Sequence, residues 1–122
     1  MTPAAFLKLA LSLPETTEGA HMGHSDLRVA GRIFSSRADR PSLGKKEGAA
    51  YLKLTPEQQA MLCAAEPGMF SAVPGGWGLK GATWIHVAKA DAKTATSALW
   101  MAWRNAAPKT LLKQHPAGKA PA

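Results

Sequence analysis

Three stretches of strict two-residue alternation limit what this chain can fold into. Leu27 and Val29 alternate with Asp26, Arg28 and Ala30. Ala50, Leu52 and Leu54 alternate with Tyr51 and Lys53, and Thr83, Ile85 and Val87 with Trp84 and His86. Successive side chains of a strand point to opposite faces, so each stretch reads as a strand with one apolar face. Strands buried on one side only favour an antiparallel sheet with helices packed against that side, an α+β two-layer sandwich. Gly31-Arg32 reads as a type II′ turn closing a hairpin over residues 26–37. That register sets Val29 opposite Phe34 and Leu27 opposite Ser36. On the other face it sets Arg28 opposite Ser35 and Asp26 opposite Arg37.

Three helices are legible around these strands. Thr2 and Pro3 can start one, and Phe6, Leu9, Ala10 and Leu13 form its apolar face before Pro14 ends it. Thr55-Pro56-Glu57-Gln58 has the cap, the N1 proline and the N3 glutamine of a capping box. Asp91 can cap a third helix with Ala95, Leu99, Ala102 and Ala106 on its inner stripe, ending near Ala107. Residues 69–73 read as a short extended piece, residues 38–48 as a polar loop, and Pro74 to Gly78 as a turn with Trp77 packed over a core edge. The expected organisation is one domain over residues 1–112 and a flexible basic tail over 113–122, rich in Ala, Pro and Lys.

At 122 residues with 46% hydrophobic and 19% charged side chains, the chain can bury one core without staples. The single cysteine, Cys63, cannot make an internal disulfide, which fits a cytoplasmic protein. No apolar run is long enough to span a bilayer, so no membrane association is expected. The net charge of +7 is uneven. Residues 28–53 hold seven basic side chains against Asp39 and Glu47, and residues 104–122 hold four basic side chains and no acid. Such clusters attract polyanions, although solvated charged faces are common.

The residues that could carry chemistry do not converge. His21 and His24 lack a third metal ligand, and Cys63 has no basic neighbour in sequence to lower its pKa. No serine sits in a nucleophile elbow, and Gly75-Gly76-Trp77-Gly78 lacks the lysine of a phosphate loop. The expectation is a binding module without catalytic residues, metal or cofactor.

The chain resembles the MmcQ/YjbR-like family. The resemblance rests on Leu13-Pro14-Glu15-Thr16-Thr17-Glu18-Gly19-Ala20-His21, on Leu27 through Phe34, and on Leu52-Lys53-Leu54-Thr55-Pro56-Glu57 continuing to Phe70. It continues in Gly76-Trp77-Gly78 through Thr83, and in Trp103-Arg104 with Ala107-Pro108-Lys109. Trp103 stands where a tyrosine is expected, and Ala82 where an aromatic is frequent. The resemblance implies a two-layer α+β fold similar to frataxin and to secretion chaperones. It also implies the family's DNA-binding label, and it supplies no catalytic residues. Frataxin-type iron binding is not expected, because Glu15 and Glu18 alone do not make a carboxylate ridge.

The best functional lead is the sheet face turned away from the core. Alternation places Arg28, Arg37, Tyr51, Lys53, Trp84 and His86 there, with Arg32 in the hairpin turn. Cations beside flat rings suit phosphates and stacked bases of DNA or RNA. The alternative is a protein-interaction surface, such as a homodimer interface, over the same aromatic patch.

Overall fold

The computed structural model describes residues 1–21, 24–38 and 48–116. Its strands are β1 (Thr16–His21), β2 (His24–Val29), β3 (Arg32–Ser36), β4 (Ala49–Leu52), β5 (Phe70–Ala72) and β6 (Thr83–His86). They form one open antiparallel sheet in the order β1-β2-β3-β4-β6-β5. The helices are α1 (Pro3–Leu11), α2 (Pro56–Ala65), α3 (Gly76–Leu79), α4 (Ala92–Ala106) and α5 (Lys109–Gln114). This is the α+β architecture that the alternation implies.

The inner face is the expected one. Leu27, Val29, Phe34, Leu52, Leu54, Ile85 and Val87 are all buried in one cluster with Phe6 and Ala10 of α1 and Ala95, Leu99, Ala102 and Ala106 of α4. Local signals set the helix ends. Thr55 and Gln58 form both arms of the capping box. The Asp91 carboxylate accepts from the Thr94 amide at 2.9 Å, and that bond holds it below the usual carboxylate range. α1 stops at Leu11, capped by Ser12, although Leu13 is still buried. Trp103 in α4 donates its indole N–H to the Pro14 carbonyl at 2.9 Å, tying the longest helix to the end of the first helical segment.

The hairpin register differs from the expected one. The turn residues are Ala30 and Gly31, with φ of 51° and 78°, the two positive values of a type I′ turn. Val29 therefore pairs with Arg32, and Arg28 with Ile33. A bulge opposite Leu27/Arg28 then absorbs one residue, so Leu27 pairs with Ser35 and Asp26 with Ser36. The bulge keeps Leu27 and Phe34 both in the core, and it changes which face later β3 residues reach.

Three further features depart from expectation. β1 is a complete strand paired along β2 from Thr16↔Val29 to His21↔His24. α5 runs through residue 113, and the His115 ring packs against Trp100 and Trp103, so the expected domain end at 112 falls inside a helix. Residues 117–122 of the expected tail, and residues 39–47 of the expected loop, lie outside the described residues. Finally, the second face of the sheet is not bare. Val73 and Ala82, flanking α3, pack there on Ala49 and Trp84.

Candidate functional site

The part of the second face left open by that packing forms a groove of about 830 Å³. Arg28, Arg32, Tyr51 and Lys53 contribute from the hairpin, β4 and its end, and Trp77 and Lys80 from α3 and its C-terminus. Ile33 and Ala82 supply apolar lining, and Asn105 of α4 also borders the groove. Four of the lining side chains are cations and none is a carboxylate. Among the described residues, Arg32, Lys53 and Lys80 take part in no ion pair.

Both walls are fixed by hydrogen bonds. The Gln59 side chain of α2 donates to the Gly78 carbonyl at 3.0 Å and the Ala82 carbonyl at 2.8 Å. A side chain at Gly78 is excluded, because its Cβ would lie 1.7 Å from the Val73 carbonyl oxygen. The glycine-rich run thus lets the chain close on itself and hold α3 over the sheet. On the other wall, the Asn105 amide donates to the Lys53 carbonyl at 2.8 Å and to Gln58 Oε1 at 2.7 Å.

Arg28 is partly neutralised. Its Nε lies 2.6 Å from Asp26 Oδ1, and its Nη2 donates to Oδ2 at 3.0 Å. This hydrogen bond with Asp26 raises the guanidinium pKa. The pair lies across Gly19 of the neighbouring strand, where a Cβ would come within 2.6 Å of Arg28 Nε. Tyr51 is half-buried, and burial pushes its phenol up from the usual range.

The groove gathers Arg28, Arg32, Tyr51 and Lys53 of the residues singled out in the sequence, and leaves out the other three. Trp84 pairs with Tyr51 across the strands but is only 2% exposed, covered by Val73 and Ala82. It is framework, with no ring face open to a base. Arg37 follows the bulge and lies on the helix side of the sheet, beside Leu7 and Leu11 of α1, with Nη1 3.0 Å from Glu18 Oε2. His86 stands away from the groove, its Nε2 2.8 Å from Ser71 Oγ. Neither of these two lines the groove.

Sequence reasoning missed Trp77 and Lys80 as groove residues. Trp77 was expected to pack over a core edge but is 51% exposed. The available signal was the glycine run itself, since Gly78 is packed so closely on Val73 that only glycine fits there. Cys63 is half-buried against the core, and burial pushes its thiol pKa up, the opposite of nucleophile activation. Among the described residues no three His, Cys, Asp or Glu side chains gather in a group that could hold a metal ion. The side chains of His21 and His24 lie outside the described residues. No helix among the described residues is long and apolar enough to cross a membrane.

A model of the YjbR family matches residues 11–105. This chain belongs to the YjbR family. Every residue named in the groove falls within the matched span, so the site is part of the YjbR domain itself. Most of α1 and all of α5 lie outside that span. No curated protein and no solved structure matches the chain.

Proposed function

We propose that this YjbR-family protein is a non-catalytic nucleic-acid-binding module that uses the groove between the hairpin and α3. The observation that carries this reading is the groove lining, four cations and two aromatic rings with no carboxylate. Phosphates are the ligand such a lining favours, and because Arg32, Lys53 and Lys80 are exposed the attraction should be screened by salt. The rings add a surface that stacks on bases or packs on sugars. The +7 charge of the chain adds long-range attraction to a polyanion. Four of the seven residues expected from the sequence support this site, and Trp77 and Lys80 replace Arg37, Trp84 and His86 in it.

Gel-shift titrations of the full chain with duplex and single-stranded DNA and with RNA, repeated across salt, test the reading. Binding at low salt that weakens steeply as salt rises supports it. A chain that binds none of them at low salt rejects it. A second reading has its own observation: Leu79, beside Trp77 on α3, is 84% exposed. An exposed apolar pair on a short helix suits a protein partner, and an association that is insensitive to salt and lost on Leu79→Ser distinguishes that case.

A further inference from the structure

We infer that the groove takes single-stranded nucleic acid in preference to duplex, with the Trp77 indole stacked on an unpaired base. The inference rests on the nucleic-acid reading above and narrows it to one substrate class.

The two forms of nucleic acid expose different surfaces. In a duplex the base faces are covered by their neighbours, and only base edges and phosphates reach the surface. An aromatic ring has a base face to stack on only if a base leaves the helix, and that costs pairing and stacking. A single strand presents base faces without that cost. A groove whose distinctive element is an exposed ring therefore discriminates in favour of the single strand. A groove of cations alone would not.

Trp77 is mounted for this role. The indole is half exposed, but the backbone around it is tied down by specific contacts. The Ala82 amide donates to the Trp77 carbonyl at 3.0 Å. Gln59 clamps the carbonyls of Gly78 and Ala82, and Gly78 abuts Val73. A backbone already fixed in this way need not be ordered when a base stacks on the ring, which lowers the cost of binding. Lys80 follows one turn later on the same wall, and Arg32 and Lys53 stand on the sheet wall. The ring and cations from both walls thus line one groove. The groove, about 830 Å³, is open along the surface and so admits a chain that continues beyond it. It suits a short single-stranded segment better than the convex side of a duplex.

The test is fluorescence anisotropy of one labelled DNA sequence, single-stranded and duplex, with the parent chain and with Trp77→Ala, Trp77→Phe and Leu79→Ala at low salt. The parent is expected to bind the single strand more tightly. Trp77→Ala is expected to lose roughly five- to 140-fold on the single strand, the range for one base–ring stack, and little on the duplex. Trp77→Phe should recover most of that loss, and Leu79→Ala should bind like the parent. Melting curves check that each variant folds. If Trp77→Ala does not, Trp77→Leu against Trp77→Phe makes the same comparison, since leucine packs but cannot stack. Equal binding of both forms, or equal losses on both from Trp77→Ala, overturns the single-strand inference while salt-steep binding leaves the broader reading standing. Absence of binding to either form by the parent overturns both.

Discussion

Tyr51 and Trp84 are cross-strand partners on one face of the sheet, yet they occupy different environments. Trp84 lies beneath Val73 and Ala82, whereas Tyr51 borders the open groove. The segment from Val73 to Ala82 divides this face into a second small core and a binding surface. Residues under the segment hold the fold, and residues beside it are available to a ligand.

That division gives the first expected outcome. Trp84→Ala should cost about 3–5 kcal/mol of stability, as loss of a buried aromatic does. Chemical denaturation measures it. A midpoint unchanged from the parent would place Trp84 at the surface instead.

Tyr51 is the only tyrosine in the chain, so its ionisation can be followed alone by ultraviolet difference spectroscopy. Burial raises its pKa in the folded protein. In the denatured chain it should titrate near the ordinary value of about 10. The folded protein holds this proton more tightly than the unfolded chain. Its contribution to stability is therefore complete below pH about 10 and is lost as pH rises through the folded value. Tyr51→Phe should remove that part of the alkaline loss of stability. A folded titration midpoint at the denatured value would contradict the half-buried position.

The sheet, its inner face and the main helices were legible because periodicity and caps are local signals. Leu27, Val29, Leu52, Leu54, Ile85 and Val87 alternate, and Thr55 and Asp91 cap α2 and α4. The errors came from features that alternation does not encode. Ala30 takes a positive φ that its residue type does not advertise, which moved the turn by one position. The bulge at Phe34, opposite Leu27/Arg28, then carried Arg37 to the opposite face. β1 contains Thr, Glu and Gly rather than an apolar series, and it exists because β2 offers it a full ladder. The burial of Trp84 and the exposure of Trp77 both follow from how residues 73–82 fold back, a long-range packing event. The groove was therefore legible on its sheet wall and hidden on its α3 wall.

The corrected turn can be tested directly. Ala30 sits at φ 51°, where asparagine is better tolerated than alanine and Asn-Gly is the favoured type I′ pair. Ala30→Asn should raise stability by up to about 1 kcal/mol. A loss of stability from this change would favour the Gly31-Arg32 turn instead.

Asp26 restrains Arg28 at the edge of the groove. Asp26→Asn keeps the shape but removes the carboxylate that competes with phosphate. Affinity for DNA or RNA is expected to rise, measured by titration at fixed salt on the folded variant. Weaker binding by a variant with parental melting behaviour would mean that the pair positions Arg28 for its ligand.

If the groove cations contact phosphate, the salt dependence of binding measures those contacts most directly. Log affinity for a single-stranded oligonucleotide should be plotted against log salt for the parent and for the Arg32→Ala, Lys53→Ala, Lys80→Ala triple variant. All three side chains are exposed, so the variant should melt within about 1.5 kcal/mol of the parent if each change stays within the ±0.5 kcal/mol usual for surface sites. Loss of three phosphate contacts should make the slope shallower by about 2.1, together with a uniform loss of affinity across sequences. A folded triple variant with the parent's slope and affinity would show that the nucleic acid, if bound, lies elsewhere on the protein.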